Sequence, residues 1–309
     1  MVTGFLILAL LALIVLLLWG KGPAPGDWVT LPDGRRYLAV LPRQSPGAPL
    51  IVALHGGGGQ ARTFAAKSGL APAATAAGYA VIFPDGTGPW NAHTFNAGYC
   101  CGTAARDGVD DLSFLDAAIA DAKARYRLDP GPVVITGVSN GAMLAEAYAA
   151  TRPQAVRAVA AVAGTLDLAR FPPRGPVPLF ILHGSNDRNV PLAGGLGPRA
   201  RNRVPFTPVQ SVVEAFLRPW GTANLERTQR ETPRDAEGFA LKETTWSRAG
   251  HPVLRLLIVE GGDHDWPGAA PSARRQGRSP STLSANAEIL RFLDELGHSA
   301  GGGARQSPQ

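Results

Sequence analysis

Five continuous apolar runs of strand length, Leu50–Leu54, Ala80–Phe83, Val133–Thr136, Ala158–Val162 and Val177–Leu182, recur along the chain with helical stretches between them. Apolar runs without polar alternation belong to strands buried on both faces, the pattern of a parallel sheet. The helical stretches are Ala61–Ala77, Gly108–Tyr126, Ala142–Thr151 and, later, Val209–Arg218. Val253–Val259 reads as a further strand and Leu283–Leu296 as a closing helix, while Asp33-Gly34 marks a hairpin turn inside Trp28–Pro42. Alternating β and α elements predict an α/β fold, a mostly parallel central sheet with helices on both faces. Leu192–Pro208 is the most irregular part, and the polar stretch from there to Glu243 is where a lid or rim insertion is expected.

With 309 residues, 45% hydrophobic and 17% charged, the chain can bury a sizeable core, which excludes a disordered or fibrous class. A net charge of +6 permits nucleic-acid binding, but only four of the thirty basic residues are lysines and no basic stripe is interleaved with aromatics. No nucleic-acid partner is therefore expected. The two cysteines, Cys100 and Cys101, are adjacent, which excludes a disulfide-rich scaffold and any four-cysteine zinc site.

Phe5–Trp19 is an unbroken apolar run of fifteen residues, short of the about 20 that span hydrocarbon. No basic n-region precedes it and no Ala-x-Ala cleavage site follows. Export is the reading, to an extracellular or periplasmic location, by a cleaved signal or by membrane attachment through residues 5–19. The expected organisation is a leader over 1–20, a Gly/Pro-rich linker over 21–26, a catalytic domain over 27–298 and a flexible tail over 299–309.

Gly137-Val-Ser139-Asn-Gly141 directly follows the strand at 133–136 and opens a helix. That is the context of a serine held on a cramped strand-to-helix turn, where flanking glycines avoid Cβ clashes. Chance alone gives roughly 0.2 matches to the pattern in such a composition, so the strand–turn–helix context carries the argument. A serine there also suits a helix N-cap. His55-Gly-Gly-Gly-Gly59 follows the strand at 50–54, and glycines let backbone N–H donors approach a tetrahedral oxyanion. The donors are placed at the amides of Gly57, with a one-residue uncertainty of register, and Asn140. A phosphate loop would need a following Gly-Lys-Ser/Thr, which is missing. His55 is read as bracing the loop.

A nucleophilic serine needs a base and the base an orienting acid, and at such turns the chain order is serine, acid, histidine. His264, in GGDHDWPG on a loop after the strand at 253–259, is the candidate base. His298 falls in the tail, His251 precedes a strand and His183 ends one. Asp187, in LHGSNDRNVP, is the candidate acid, with Asp167 as the second choice; either aspartate could also cap a turn.

The set LHGGGG, FPDGTG, FNAGYCCG, DDLSFL, GVSNGAM, HGSND and GGDHDWPG, spread in order from about Trp28 to Leu296, resembles the polyhydroxybutyrate depolymerase-like and feruloyl esterase branch of the α/β-hydrolases. The resemblance implies the α/β-hydrolase fold and a secreted serine esterase, with Ser139, Asp187 and His264 at the triad positions, an ester as substrate and neither metal nor organic cofactor. Two departures stand out. Glycine commonly precedes the histidine in such proteins, whereas this chain has Asp263 before it and Asp265 after it, and carboxylates near an imidazole favour its cation. Relatives often bridge the CCG region to a distant cysteine, and none exists here. Neighbouring Cα atoms lie about 3.8 Å apart, below the usual disulfide span. Cys100 and Cys101 are either a vicinal disulfide or a free dithiol.

Trp90, Phe95 and Trp266 fall on loops near the expected site, where they either bind substrate by stacking or pack in the core. Arg199, Arg201, Arg203, Arg274, Arg275 and Arg278 follow the acid and histidine loops and form either a cationic rim for anionic, polyuronate-linked esters or a solvated surface. Two rival functions stay open: a serine peptidase of the same fold and a non-catalytic binding module.

Overall fold

The computed structural model describes residues 26–90, 92–200, 203–221, 223–270 and 278–297. The leader and tail expected from the sequence, and all of the linker but Gly26, lie outside the described residues. Among the described residues no helix is long and apolar enough to cross a membrane.

Ten strands form one sheet: β1 (Asp27–Thr30), β2 (Arg36–Val40), β3 (Leu50–Leu54), β4 (Ala80–Pro84), β5 (Val133–Val138), β6 (Val156–Val162), β7 (Leu179–Gly184), β8 (Glu226–Glu231), β9 (Ala240–Arg248) and β10 (His251–Glu260). Their order is β1-β2-β4-β3-β5-β6-β7-β10-β9-β8. The six inner strands from β4 to β10 run parallel, and an antiparallel ribbon closes each side. Every residue of β3, β4 and β7 is buried, as the unbroken apolar runs require.

Successive side chains of a strand point to opposite faces, and β3 shows the consequence. Leu50, Val52 and Leu54 join one core, and Ile51 and Ala53 the other. Helices α4 (Asp111–Tyr126), α5 (Asn140–Thr151) and α6 (Val209–Leu217) cover the first face. Helices α1 (Ala61–Lys67), α2 (Leu70–Ala76) and α7 (Ala285–Glu295) cover the second, and α3 (Gly102–Arg106) is a single short turn in the loop after β4. The expected sheet with helices on both faces is thus observed.

Two local expectations are corrected. The stretch at 61–77 is two helices rather than one. The break falls at Ser68-Gly69, where Gly69 takes φ 69° and the Ser68 carbonyl accepts from Asn286 Nδ2 at 2.7 Å. The polar stretch leading to Glu243 is no lid: it holds β8 and the first four residues of β9, part of an antiparallel ribbon that extends the sheet past β10. All six residues of β8 are exposed, so no alternation of apolar and polar residues announces it.

The chain order along the sheet reverses between β3 and β5. Open α/β sheets form their crevice at such a point, beyond the carboxyl ends of the strands. The loops after β3, β5, β7 and β10 all leave that edge.

Candidate active site

Ser139 follows the last residue of β5 with φ 55° and ψ −123°, a backbone conformation that L-residues rarely adopt. Its amide donates to the Val162 carbonyl at 2.9 Å and its carbonyl accepts from Met143 N at 3.0 Å, so sheet and helix pin the turn from both sides. A Cβ on Gly137 would lie 2.5 Å from the carbonyl carbon of Gly141, and one on Gly141 would run into the Leu54 carbonyl. Both glycines are therefore demanded by close backbone approach. Ser139 holds the N-cap position of α5, but its side chain makes no capping bond, which leaves the hydroxyl uncommitted to the helix.

The glycine loop after β3 lies against this turn. A Cβ on Gly56 would sit 3.5 Å from Ser139 Cβ, and one on Gly57 would sit 3.5 Å from Asn140 Cβ. The amides of Gly58 and Gly59 are spent on the carbonyls of His93 (2.8 Å) and Gly56 (3.0 Å). His55 braces the loop: its Nε2 accepts from Gly86 N at 3.0 Å, which leaves Nδ1–H to donate to the Gly56 carbonyl at 2.9 Å. Burial lowers its pKa to about 4, so the ring is neutral in this role. The Asn140 side chain grips the Phe95 backbone at both ends, accepting from its amide at 2.7 Å and donating to its carbonyl at 2.9 Å.

Because β7 and β10 are parallel neighbours, the loops after them meet. Asn186 N donates to Gly262 O at 2.8 Å and Ser185 N to Val259 O at 2.9 Å. In this lacing His264 Nδ1 stands 2.7 Å from Asp187 Oδ2. The other oxygen, Oδ1, accepts from Asn189 N at 2.8 Å and Val190 N at 2.9 Å, which fixes the carboxylate plane. Burial works to raise the Asp187 pKa, but the hydrogen bond from His264, the neighbouring imidazoles and the Val190 amide outweigh it, and the net direction is down. Asp187 is held ionised. His183, itself fully buried, donates from Nε2 to the Val190 carbonyl at 2.8 Å, and that nitrogen lies 3.5 Å from Asp187 Oδ2. Burial pushes the His183 pKa down.

The flanking carboxylates are both engaged. Asp263 accepts from the His264 amide at 2.9 Å and pairs with Arg199 at 3.5 Å, while Asp265 accepts from the Ser279 hydroxyl at 2.8 Å. Asp167, the second-choice acid, accepts from Tyr99 N at 3.0 Å and Arg170 N at 3.2 Å and organises its own loop.

Of the aromatic residues expected at the site, Phe95 and Trp266 are corrected to packing roles. Phe95 is fully buried with its ring 4.6 Å from that of His55, and Trp266 is buried edge-on to Phe64 with its Nε1 donating to Asn286 at 3.2 Å. Trp90 is 93% exposed and presents its face to solvent. Of the six rim arginines, Arg199 is paired with Asp263, Arg278 lies over the Phe239 ring, and Arg201, Arg274 and Arg275 lie outside the described residues. Cys100 and Cys101 are joined as a vicinal disulfide, with Cys100 Sγ 3.9 Å from Asn140 Nδ2. Sequence reasoning missed the Asn140 clamp and the His183 contact; the only signal for the latter is the four-residue spacing to Asp187.

Known proteins place this geometry in context. A model of the alpha/beta hydrolase fold matches residues 49–180. NocK of Nocardia uniformis subsp. tsuyamanensis, named as an esterase, is 33% identical over 74% of this chain and 68% of its own length. Feruloyl esterase C of Emericella nidulans is 29% identical over 80% of this chain and 82% of its own length. Among solved structures, the acetyl xylan esterase from Aspergillus awamori superposes with a TM-score of 0.58 at 14% identity, covering 87% of this chain and 98% of that one.

Proposed function

This chain belongs to the α/β-hydrolase family and is a carboxylic ester hydrolase, and on that premise we propose that it works by a serine mechanism through a covalent acyl-enzyme. Ser139 Oγ attacks the ester carbonyl while His264 Nε2 takes its proton. Asp187 holds Nδ1–H of the ring and stabilises the imidazolium that forms. The oxyanion is met by the amides of Gly57 and Asn140. As the tetrahedral adduct collapses, the C–O bond to the alcohol breaks and His264 returns the proton to the leaving oxygen. Water, deprotonated by His264, then attacks the acyl carbon and releases the acid and Ser139.

The single observation that supports this reading best is the 2.7 Å contact between Asp187 and His264, with the carboxylate's second oxygen tied to two amides. It holds the imidazole in one tautomer, with an acid that cannot rotate away, and in the proposed mechanism the ring's free Nε2 serves Ser139. The substrate class is an ester of a carbohydrate or a hydroxyacid oligomer, in line with the names feruloyl esterase and acetyl xylan esterase among its relatives. The apolar run at 5–19 supports action outside the cytoplasm.

A fluorophosphonate probe should label the wild type and leave Ser139→Ala unlabelled. The same variant should lose ester turnover by at least about a thousandfold. Persistent turnover in Ser139→Ala would remove Ser139 from the mechanism. A panel of acetyl-xylan, methyl ferulate and short hydroxybutyrate oligomers ranks the acyl classes.

A further inference from the structure

Beside the glycine loop, at the same edge of the sheet, lies a cavity of about 170 Å³ lined by Trp28, Arg36, Gln60, Arg62 and Asp85. It is smaller than the roughly 300 Å³ or more that holds a whole drug-sized ligand, and so suits one ring-sized unit of something longer. Its floor is electrically settled. Asp85 is buried, and its Oδ2 takes both Nε (3.1 Å) and Nη2 (2.9 Å) of Arg36. Oδ1 takes the Ala61 amide at 3.0 Å and faces His93 Nδ1 at 3.1 Å. With every lone pair of that carboxylate engaged, the cavity has no anionic ligand to offer a cation.

Its mouth carries surplus positive charge. The guanidinium carbons of Arg36 and Arg62 lie 4.1 and 5.4 Å from the centroid of the Trp28 ring, both within cation–π range of the indole. Arg62 has no carboxylate within salt-bridge distance among the described residues, and the Arg36 side chain remains 45% exposed. Arg62 is the guanidinium whose charge is unspent, and its planar fork suits a carboxylate better than a mobile lysine would; Arg36, with its Nε and Nη2 edge on Asp85, adds only its remaining N–H groups.

The position relates this cavity to Ser139. Gln60 comes three residues after Gly57, so the chain between them spans at most about 11 Å. Asp85 continues β4, two strands from β5 across β3, or about 10 Å at the usual strand spacing. A ligand reaching from one to the other is an oligomer of small rings, too long to be a simple methyl ester.

We propose that the Trp28–Arg36–Arg62 cavity is a second subsite, which takes the carboxylate of a uronic acid unit in the polymer whose ester is cleaved at Ser139. The proposal rests on the esterase reading above, and its test separates the two. The wild type and Arg62→Gln are compared on acetylated oligogalacturonide, on acetylated neutral xylo-oligosaccharide and on p-nitrophenyl acetate, which is too short to reach the cavity. Binding of unesterified oligogalacturonide to each protein is measured alongside by calorimetry. Arg62→Gln should raise KM on the acidic oligomer about tenfold, the scale of one charge-assisted hydrogen bond, leave the other two substrates within twofold, and weaken the calorimetric binding in parallel. Arg62→Lys should recover only part of the loss. Equal KM values on acidic and neutral oligomers in the wild type, or unesterified oligomer bound as tightly by Arg62→Gln, would overturn the subsite. Failure of the wild type to cleave p-nitrophenyl acetate would sink the esterase reading itself, whatever the calorimetry shows.

Discussion

The side-chain amide of Asn140 holds the backbone of Phe95 at both ends, at 2.7 Å to its nitrogen and 2.9 Å to its oxygen. The residue after Ser139 thereby ties the serine turn to a segment 45 positions earlier in the chain. The Phe95 ring in turn packs on His55, which anchors the glycine loop. One clamp therefore connects the two places from which oxyanion donors are proposed.

Asn140→Ala should cost about 3 kcal/mol of stability, because it strands two buried backbone groups. It should also lower kcat by at least tenfold, since the loop behind Gly57 loses its brace. Urea titration and steady-state kinetics on one ester check both effects. An unchanged kcat in a variant with a lowered urea midpoint would show that the clamp serves only the fold.

Asp187→Asn should lower kcat by about three to four orders of magnitude while KM moves little, since the orienting acceptor for His264 is lost. Asp187 also links to pH. Its pKa is lowered in the folded protein, so its stabilising contribution is present above the ordinary carboxylate range and lost as pH falls through the depressed value. The variant should lack that part of the acid-side loss of stability, read as the wild-type-minus-variant difference in urea midpoint at pH 3 and pH 6.

Gly137→Ala should leave little soluble protein or cost more than about 3 kcal/mol, because the added methyl meets backbone that cannot retreat. Gly34→Ala, at φ 82° in the β1–β2 turn with open space around it, should cost only about 1 kcal/mol. Thermal melts of the pair separate steric conflict from simple loss of backbone freedom.

Glu146, seven residues along α5 from Ser139, is fully buried and neither carboxyl oxygen has a hydrogen-bond partner. Burial pushes its pKa up to about 8. The folded protein thus binds a proton that the unfolded chain releases near its ordinary value of 4.5, so this group's contribution to stability is full at low pH and falls as pH rises through about 8. Glu146→Gln should resemble the wild type at pH 4 and exceed it at pH 9 by a few kcal/mol, with an upper bound of roughly 5 from about 1.4 per pH unit. Parallel urea midpoints for the two proteins across that range would show that Glu146 finds a partner.

The inner sheet was legible because its strands are buried on both faces and therefore read as solid apolar runs; Leu50–Leu54 begins and ends where it was expected. The outer ribbon was not. Glu226–Glu231 is wet on both sides and β9 buries only two of its nine residues, so composition there reports solvent rather than pairing. The serine and glycine-loop motifs could be seen because tight turns demand particular residues at fixed offsets. Phe95 and Trp266 were harder, because a loop near a sheet edge can fold its aromatic residues inward, and only the identity of the neighbours decides which way they turn. Nothing in a linear pattern shows that Asn140 reaches Phe95, or that Glu146 has been left bare.

The central pair of strands has a consequence for how the molecule tolerates damage. Ser139 and the glycine loop hang from β5 and β3, which lie side by side with neighbours on both flanks. Fraying or insertion in either outer ribbon can be absorbed before it reaches them. A one-residue slip between β3 and β5, by contrast, would carry the loop about 3.3 Å along the serine's strand and turn its side chains over. Evolutionary drift and protein engineering should both find the margins of this enzyme permissive and its midline unforgiving.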